Sequence, residues 1–273
     1  MNEALVNGSS LKINPSDRFK EAFILHLADN SLIMGHRLSE WTGHGPMLEQ
    51  DIALTNIALD LIGQSRNFYQ YAALIKNSFT PLGDADTLAS EDSLAYLRNI
   101  EEFKNILLTE LPNGDWAKTL LKLFFFSTYQ YLLYEKLVHS TDKQLSAISE
   151  KSLKEVTYHV RWSSEWVIRL GDGTKESHNR LQAALNELWE YVNEMFIPSD
   201  YEIECADNIG VDVTSLKPYW ISKVKEVFDE ATVHLPKNNH IKSGGKNGIH
   251  TPHLMEILND MQYLQRTYPG CKW

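Results

Sequence analysis

Only two of the 273 residues are cysteines, Cys205 and Cys271, and neither belongs to a CxxC pair. No disulfide framework can be built from them, and their scarcity suits a reducing cytoplasm. Long apolar runs are also missing: no window approaches 18 uncharged apolar residues, so no membrane span is expected. The opening MNEALVNGSSLKINPSD has neither the basic start nor the apolar stretch of a secretory leader. Met1 to Pro15 is expected to be a loose tail. Positive charge is short as well, since 26 Lys and Arg against 36 Asp and Glu leave a net charge of −10. A nucleic-acid partner needs clustered cations, so that function class is excluded. There is no internal repeat, no low-complexity run, no linker long enough to divide domains and no recognisable serine or cysteine nucleophile set.

What is there is a succession of helices. Ser16 caps a first helix to about Trp41, and Gly43, Gly45 and Pro46 end it and open a second, from about Met47 to Ile75 or Lys76. Thr80 to Asp84 reads as a loop. Ser90 introduces a helix from Glu91 to about Glu110. Leu111-Pro112-Asn113-Gly114-Asp115 breaks it, and Asp115 caps the next, Trp116 to about His139. That helix carries Phe124, Phe125, Phe126, Tyr129, Tyr131 and Tyr134 and is apolar on most sides, which marks a central, buried element. Thr141 and Gln144 have capping-box spacing and open a long helix to about Leu170, stopped by Gly171. A further helix spans about Lys175 to Phe196. Ser199 to Ser215 is the least helical segment, with short extended pieces at Ile203 and at Ile209 to Val213. Pro218 suits the first turn of a helix to about Val233, Leu235 to Ile249 is a loop, and Thr251 and Pro252 start a last helix to about Thr267. About eight helices and no sheet make residues 16–273 one all-α domain built on a long-helix bundle.

The second helix is mostly apolar, yet Glu49, Asn56, Asp60, Gly63 and Asn67 share one of its faces by their spacing. A carboxylate line inside an apolar helix is how a bundle builds a metal site, whose template is one Glu from each of two helices and a Glu-x-x-His from each of two others. On the first helix His36 and Glu40 share a face, with Asp29 seven residues earlier. Glu40 and Glu135 are the candidates for the lone carboxylates. The paired half-sites read Asp60-Leu61-Ile62-Gly63, and Glu155 with Tyr158 at the imidazole position and His159 one residue further on. No Glu-x-x-His occurs anywhere in the chain. Glu40, Asp60, Glu135, Glu155 and His159 therefore outline a degenerate site, with no metal expected. Glu40, Asn56 and Asp60 fit a buried hydrogen-bonded core that keeps the helices in register. Glu155 and His159 also fit a surface pair at i,i+4, worth roughly 0.2–0.5 kcal/mol. Trp162 and Trp166 fit core or interface packing.

Near the C-terminus, HIKSGGKNGIHTPH supplies Lys242, Gly244, Gly245, Lys246 and His250 and runs into a helix N-terminus. Two readings stand: an anion-binding loop, able to hold the CoA end of a ligand, or a docking loop that needs positive φ at Gly244 or Gly245.

Several long strings agree in order with one family. LADNSLIMGHRLSEWTGHGPMLEQDIALTNIALDLIGQSRNF, ELPNGDWAKTL, KEVTYHVRWSSEWVIRLGDGT, SGGKNGIHTPH and DMQYLQRTYPG resemble the C subunits of bacterial ring-1,2-phenylacetyl-CoA epoxidases (PaaC), over about Leu25 to Trp273. The resemblance implies a ferritin-like fold and a cytoplasmic, multicomponent monooxygenase of aerobic phenylacetate breakdown. It implies a homologous A subunit that carries the di-iron centre and forms the epoxide, and a reductase that supplies electrons from NADPH. A chain like this one would be the non-catalytic, structural member, without a cofactor of its own, pairing with the A subunit and able to meet further copies of itself. An alternative from the residues alone is a ferritin-like, metal-dependent oxygenase with its own core site.

Overall fold

The computed structural model describes residues 15–79, 88–237 and 240–271. The tail expected over Met1 to Pro15 lies outside them except for Pro15, which opens the first helix, and the loop expected at Thr80 to Asp84 lies outside them. Four long helices form the frame. They are α1 (Pro15–Ser39), α2 (Leu48–Ser78), α5 (Trp116–Leu137) and α6 (Lys143–Gly171). At 31 residues, α2 is about 46 Å long. α1 and α2 form one helical hairpin and α5 and α6 a second, each pair in contact along its length. The first hairpin turns at Gly43, whose φ is +81° and whose N–H donates to Asp51 in the first turn of α2. The second turns into Asp142, whose carboxylate accepts from the N–H groups of Gln144 and Leu145 at 3.0 Å. Asp142 therefore caps α6. Thr141, the expected capping residue, instead donates to the Asn208 carbonyl.

The two hairpins pack through α2 against α6. α5 is the enclosed helix, as its aromatic content requires. It lies under α6, α7 (Lys175–Val192) and α9 (Lys217–Glu230), with Phe124, Phe125 and Phe126 buried. Trp220 of α9 is fully buried and donates its indole N–H to the Phe125 carbonyl at 3.0 Å. Short helices α3 (Glu91–Tyr96), α4 (Leu107–Glu110) and α8 (Asp200–Ala206) fill the flank beside α1 and α2, together with α10 (Pro252–Thr267). No strand occurs among the described residues, and the fold is all-α.

The structure corrects two stretches. The helix expected over 91–110 breaks after Tyr96 and resumes only at Leu107. Two of the backbone donors between are taken by α1, Lys104 N–H by Asp29 at 2.8 Å and Ile106 N–H by Asn30 at 2.9 Å, and the turn Ile100–Glu102 is 3₁₀. Tertiary hydrogen bonds to buried side chains here replace the helical ladder. Second, neither expected extended piece forms: Ile203 is helical, because Ser199 and Glu202 form a capping box that starts α8, and Ile209 to Val213 is a turn running into the 3₁₀ turn Val213–Leu216.

Candidate functional site

The polar line on α2 faces outward rather than into the core. Glu49 and Asn56 are exposed, and Asp60, Gly63 and Asn67 are half-buried. Their neighbours on that side include exposed Leu48, Ile52 and Leu59. The expected buried network of Glu40, Asn56 and Asp60 does not exist. Glu40 is exposed at the end of α1, where it accepts from Arg37 at 2.7 Å and Asn113 at 2.9 Å. Glu135 is exposed near the end of α5, where it meets Tyr131. Spacing identified a common face of α2 but not which way that face points, because both sides of the helix carry large apolar residues.

Three of the five outlined residues do meet, across the α2–α6 contact. His159 is fully buried, and its Nε2 lies 3.0 Å from Asp60 Oδ2. One turn away, Gln64 donates to Glu155 at 2.9 Å. Glu155 and His159 thus reach across to α2 instead of forming a surface pair along α6. Burial raises the Glu155 carboxyl above its ordinary range; the Gln64 hydrogen bond opposes this and the nearby Asp60 charge adds to it.

Inward from this pair lies a polar centre that the sequence reading missed. Gln130 of α5, 3% exposed, points its amide N–H groups at Ser31 of α1 (3.4 Å) and Tyr134 (3.2 Å). Tyr134 is raised above its ordinary value by burial, eased by hydrogen bonds to Ser31 and Gln130 and reinforced by Glu155. One layer therefore receives Ser31 from α1, Gln64 from α2, Gln130 and Tyr134 from α5, and Glu155 from α6. Among the described residues, the side-chain oxygens of Gln64 and Gln130 have no protein partner. Apart from Glu155, the only sequence signal for this layer is uncharged polar residues embedded in otherwise apolar helices.

The other polar interior lies where the C-terminal loop meets the body. Glu194, in the 3₁₀ turn Asn193–Phe196 that continues α7, accepts from Gly244 N and Gly245 N at 2.8 Å and from Leu107 N at 2.6 Å. Lys246, 3% exposed, donates to Glu202 at 2.9 Å and to the Ile197 carbonyl at 3.0 Å. Burial by itself would raise Glu202, but the Lys246 ammonium, helped by the Ser199 N–H, holds it below the usual carboxylate range. His250 and Thr251 N both reach Glu110, at 2.9 and 2.6 Å. Lys242 stays at the surface with Glu190. The loop does gather anions, and in this chain they are internal carboxylates from α4, α8 and the 3₁₀ turn. Gly244 takes a φ of +136°, as the docking reading expected, and Gly245 packs so closely that a Cβ would overlap the Asn105 carbonyl.

The model of the family described as phenylacetic acid catabolic protein matches residues 7–273. The chain belongs to that family. It is also similar to the C subunit of the 1,2-phenylacetyl-CoA epoxidase of Escherichia coli (strain K12), with 43% identity over 253 residues, 92% of this chain and 98% of that one. The all-α, long-helix architecture is the family's ferritin-like fold. A di-iron centre in such a bundle needs bridging carboxylates and two imidazoles converging from four helices. The layer found here offers a serine, two amides, a phenol and one carboxylate, and His159 turns from it to Asp60. That donor set does not fit a di-iron centre. Among the described residues, no three His, Cys, Asp or Glu side chains are placed to share a metal ion, and no helix is long and apolar enough to cross a membrane.

Proposed function

We propose that the chain is a non-catalytic, structural subunit of a multicomponent, cytoplasmic phenylacetyl-CoA 1,2-epoxidase, which pairs with a catalytic A subunit and supports it. The observation that carries this reading is the four-helix layer of Ser31, Gln64, Gln130, Tyr134 and Glu155. Amides and hydroxyls can hold helices in register by hydrogen bonds, but cannot supply the bridging anions that two irons require. On this reading the di-iron chemistry belongs to the A subunit, electrons reach it from NADPH through a reductase, and this chain contributes fold and contact surface. The similarity to a protein named as the epoxidase's C subunit supports the same assignment.

The test is metal analysis and turnover of the purified chain, alone and with the A subunit. Alone, it should hold far less than one iron per chain and should not convert phenylacetyl-CoA. With the A subunit it should co-purify, and turnover should exceed that of the A subunit by itself. Stoichiometric iron or turnover by the chain alone would support the other reading, an oxygenase with its own core metal. Failure to associate with the A subunit would remove the structural role.

A further inference from the structure

The residue that decides how the C-terminal arm is held is His250, at the junction between the loop and α10. Its side chain is 1% exposed, and both ring nitrogens face acceptors: Nδ1 lies 2.9 Å from Glu110 Oε2 and Nε2 lies 3.0 Å from the Phe103 carbonyl. A carbonyl oxygen can only accept, so Nε2 carries a proton. Glu110 already accepts N–H donors from Thr251 at 2.6 Å and Asn105 at 2.9 Å, the pattern of an ionised carboxylate, so Nδ1 carries one too. The geometry therefore places an imidazolium there. Glu110 is fully buried, and among the described residues His250 is the one cation that its carboxylate touches. Arg37 also reaches this residue, but through the Glu110 backbone carbonyl.

We propose that His250 and Glu110 form a pH-sensitive latch, closed while the imidazole is charged, which releases the arm formed by the 243–251 loop and the start of α10 as that proton is lost. Deprotonation leaves a buried carboxylate without a counter-charge and sets a ring lone pair against an oxygen, both unfavourable in the interior. The groups around the latch bias it toward the closed state. Burial alone would lower the His250 pKa, but the Glu110 hydrogen bond and charge, the Phe103 carbonyl and the charge of Asp29 on α1 together raise it above the ordinary histidine value. The Asp29 charge is largely spent on Arg98, which stacks on the Phe103 ring at 4.1 Å, so Glu110 is the dominant partner. The sign follows from linkage. A folded-state pKa above the unfolded value gives closure that is complete below the ordinary histidine pKa and is lost as pH rises through the raised one. Between those two values, opening should increase by up to tenfold per pH unit. Other anchors of the arm, Gly244 and Gly245 on Glu194, Lys246 on Glu202 and Arg37 on the His253 carbonyl, use backbone amides, an ammonium and a guanidinium rather than an imidazole as donors, so the response centres on the Glu110 junction.

Amide hydrogen exchange of the full-length chain from pH 6 to pH 9 reads this directly, as protection factors corrected for the intrinsic pH dependence of exchange. Protection across residues 249–256 should fall with rising pH, while α5 and α6 stay constant. His250→Gln and Glu110→Gln should each make the arm's protection independent of pH. Flat protection in the wild-type chain, or a slope that survives in His250→Gln, would overturn the proposal. Should the variants not fold, ¹⁵N shifts of the His250 imidazole in the wild-type chain at pH 7 decide it. Two protonated nitrogens support the latch, and one refutes it.

Discussion

His26 behaves in the opposite sense to His250, although both are buried beside a carboxylate. Its Nδ1 donates to the Lys104 carbonyl at 2.7 Å, and the Asn30 amide nitrogen lies 3.3 Å from Nδ1 and 3.2 Å from Nε2. Complete burial without an anion of its own favours the neutral imidazole. Glu202 lies 3.7 Å from Nε2, but Lys246 has already neutralised that carboxylate, so burial dominates and pushes the His26 pKa down to about 4. The unfolded chain takes up this proton near pH 6.5 and the folded chain only near 4. Stability therefore falls as pH drops through that window, by roughly 3 kcal/mol if His26 acts alone. Glu194 titrates in an overlapping range with the opposite sign, since burial raises its carboxyl. The comparison with His26→Gln is thus the informative one. Urea unfolding at pH 7 and pH 4.5 should show a smaller acid loss in His26→Gln than in the parent. Equal losses would mean that His26 is protonated in the fold.

At the scale of elements, two of the glycines that the sequence singles out, Gly63 and Gly245, are of opposite kinds. Gly63 sits in the interior of α2, and a Cβ there would meet nothing within 4 Å. Gly63→Ala should stabilise the chain by about 0.5–1 kcal/mol, the helical penalty of glycine. Gly245 lies against the Asn105 backbone, and Gly245→Ala should instead cost about 1–3 kcal/mol, the range for overpacking. Thermal melts of the two variants should move in opposite directions, and a loss in Gly63→Ala would show that the space beside Gly63 is not open. This contrast also shows what was legible beforehand. The four long helices, the enclosed aromatic α5 and the caps at Asp115 and Thr251 follow from local patterns, and all are present; the count of about eight helices falls short of the ten observed among the described residues, because 91–110 splits and α8 forms. The fate of 97–106 was not legible, because it depends on Asp29 and Asn30, more than 70 residues away, taking its backbone donors. The orientation of the α2 polar line was hidden for a related reason. Leu48, Ile52, Leu59 and Leu74 are exposed, so hydrophobicity does not mark the inner side. The polar layer of Gln64 and Gln130 drew no notice because a search for metal ligands looks for charge and imidazole, and the layer is mostly uncharged.

For the molecule as a whole, a net charge of −10 suggests carboxylates spread over the surface, yet Glu110, Glu194 and Glu202 are at most 1% exposed. Each is carried by the body and answered by donors from the C-terminal loop, so the last segment completes the interior of helices laid down long before it. Lys246 is the clearest instance. Its Nζ joins the loop to Glu202 and to the Met195 and Ile197 carbonyls, 44 to 51 residues back along the chain. Lys246→Met keeps the stem's volume but leaves Glu202 charged and covered. Breaking a buried pair from one side costs about 3–5 kcal/mol, a large part of the roughly 5–15 kcal/mol that holds a typical domain together. The penalty should be greatest at neutral pH. Glu202 lies below its ordinary pKa in the intact chain, so its pair contributes above the unfolded carboxyl value and is lost as pH falls through the folded one. Adding Glu202→Gln to Lys246→Met should recover part of the loss, because the amide needs no counter-charge, and the double-mutant cycle gives the coupling. The reference is Lys154→Met on the outer side of α6, where the lysine side chain is 76% exposed and its ion pair is worth little. If urea unfolding shows Lys246→Met no less stable than Lys154→Met, the loop is a cover laid over a finished core, and the carboxylates beneath it are held by the body alone.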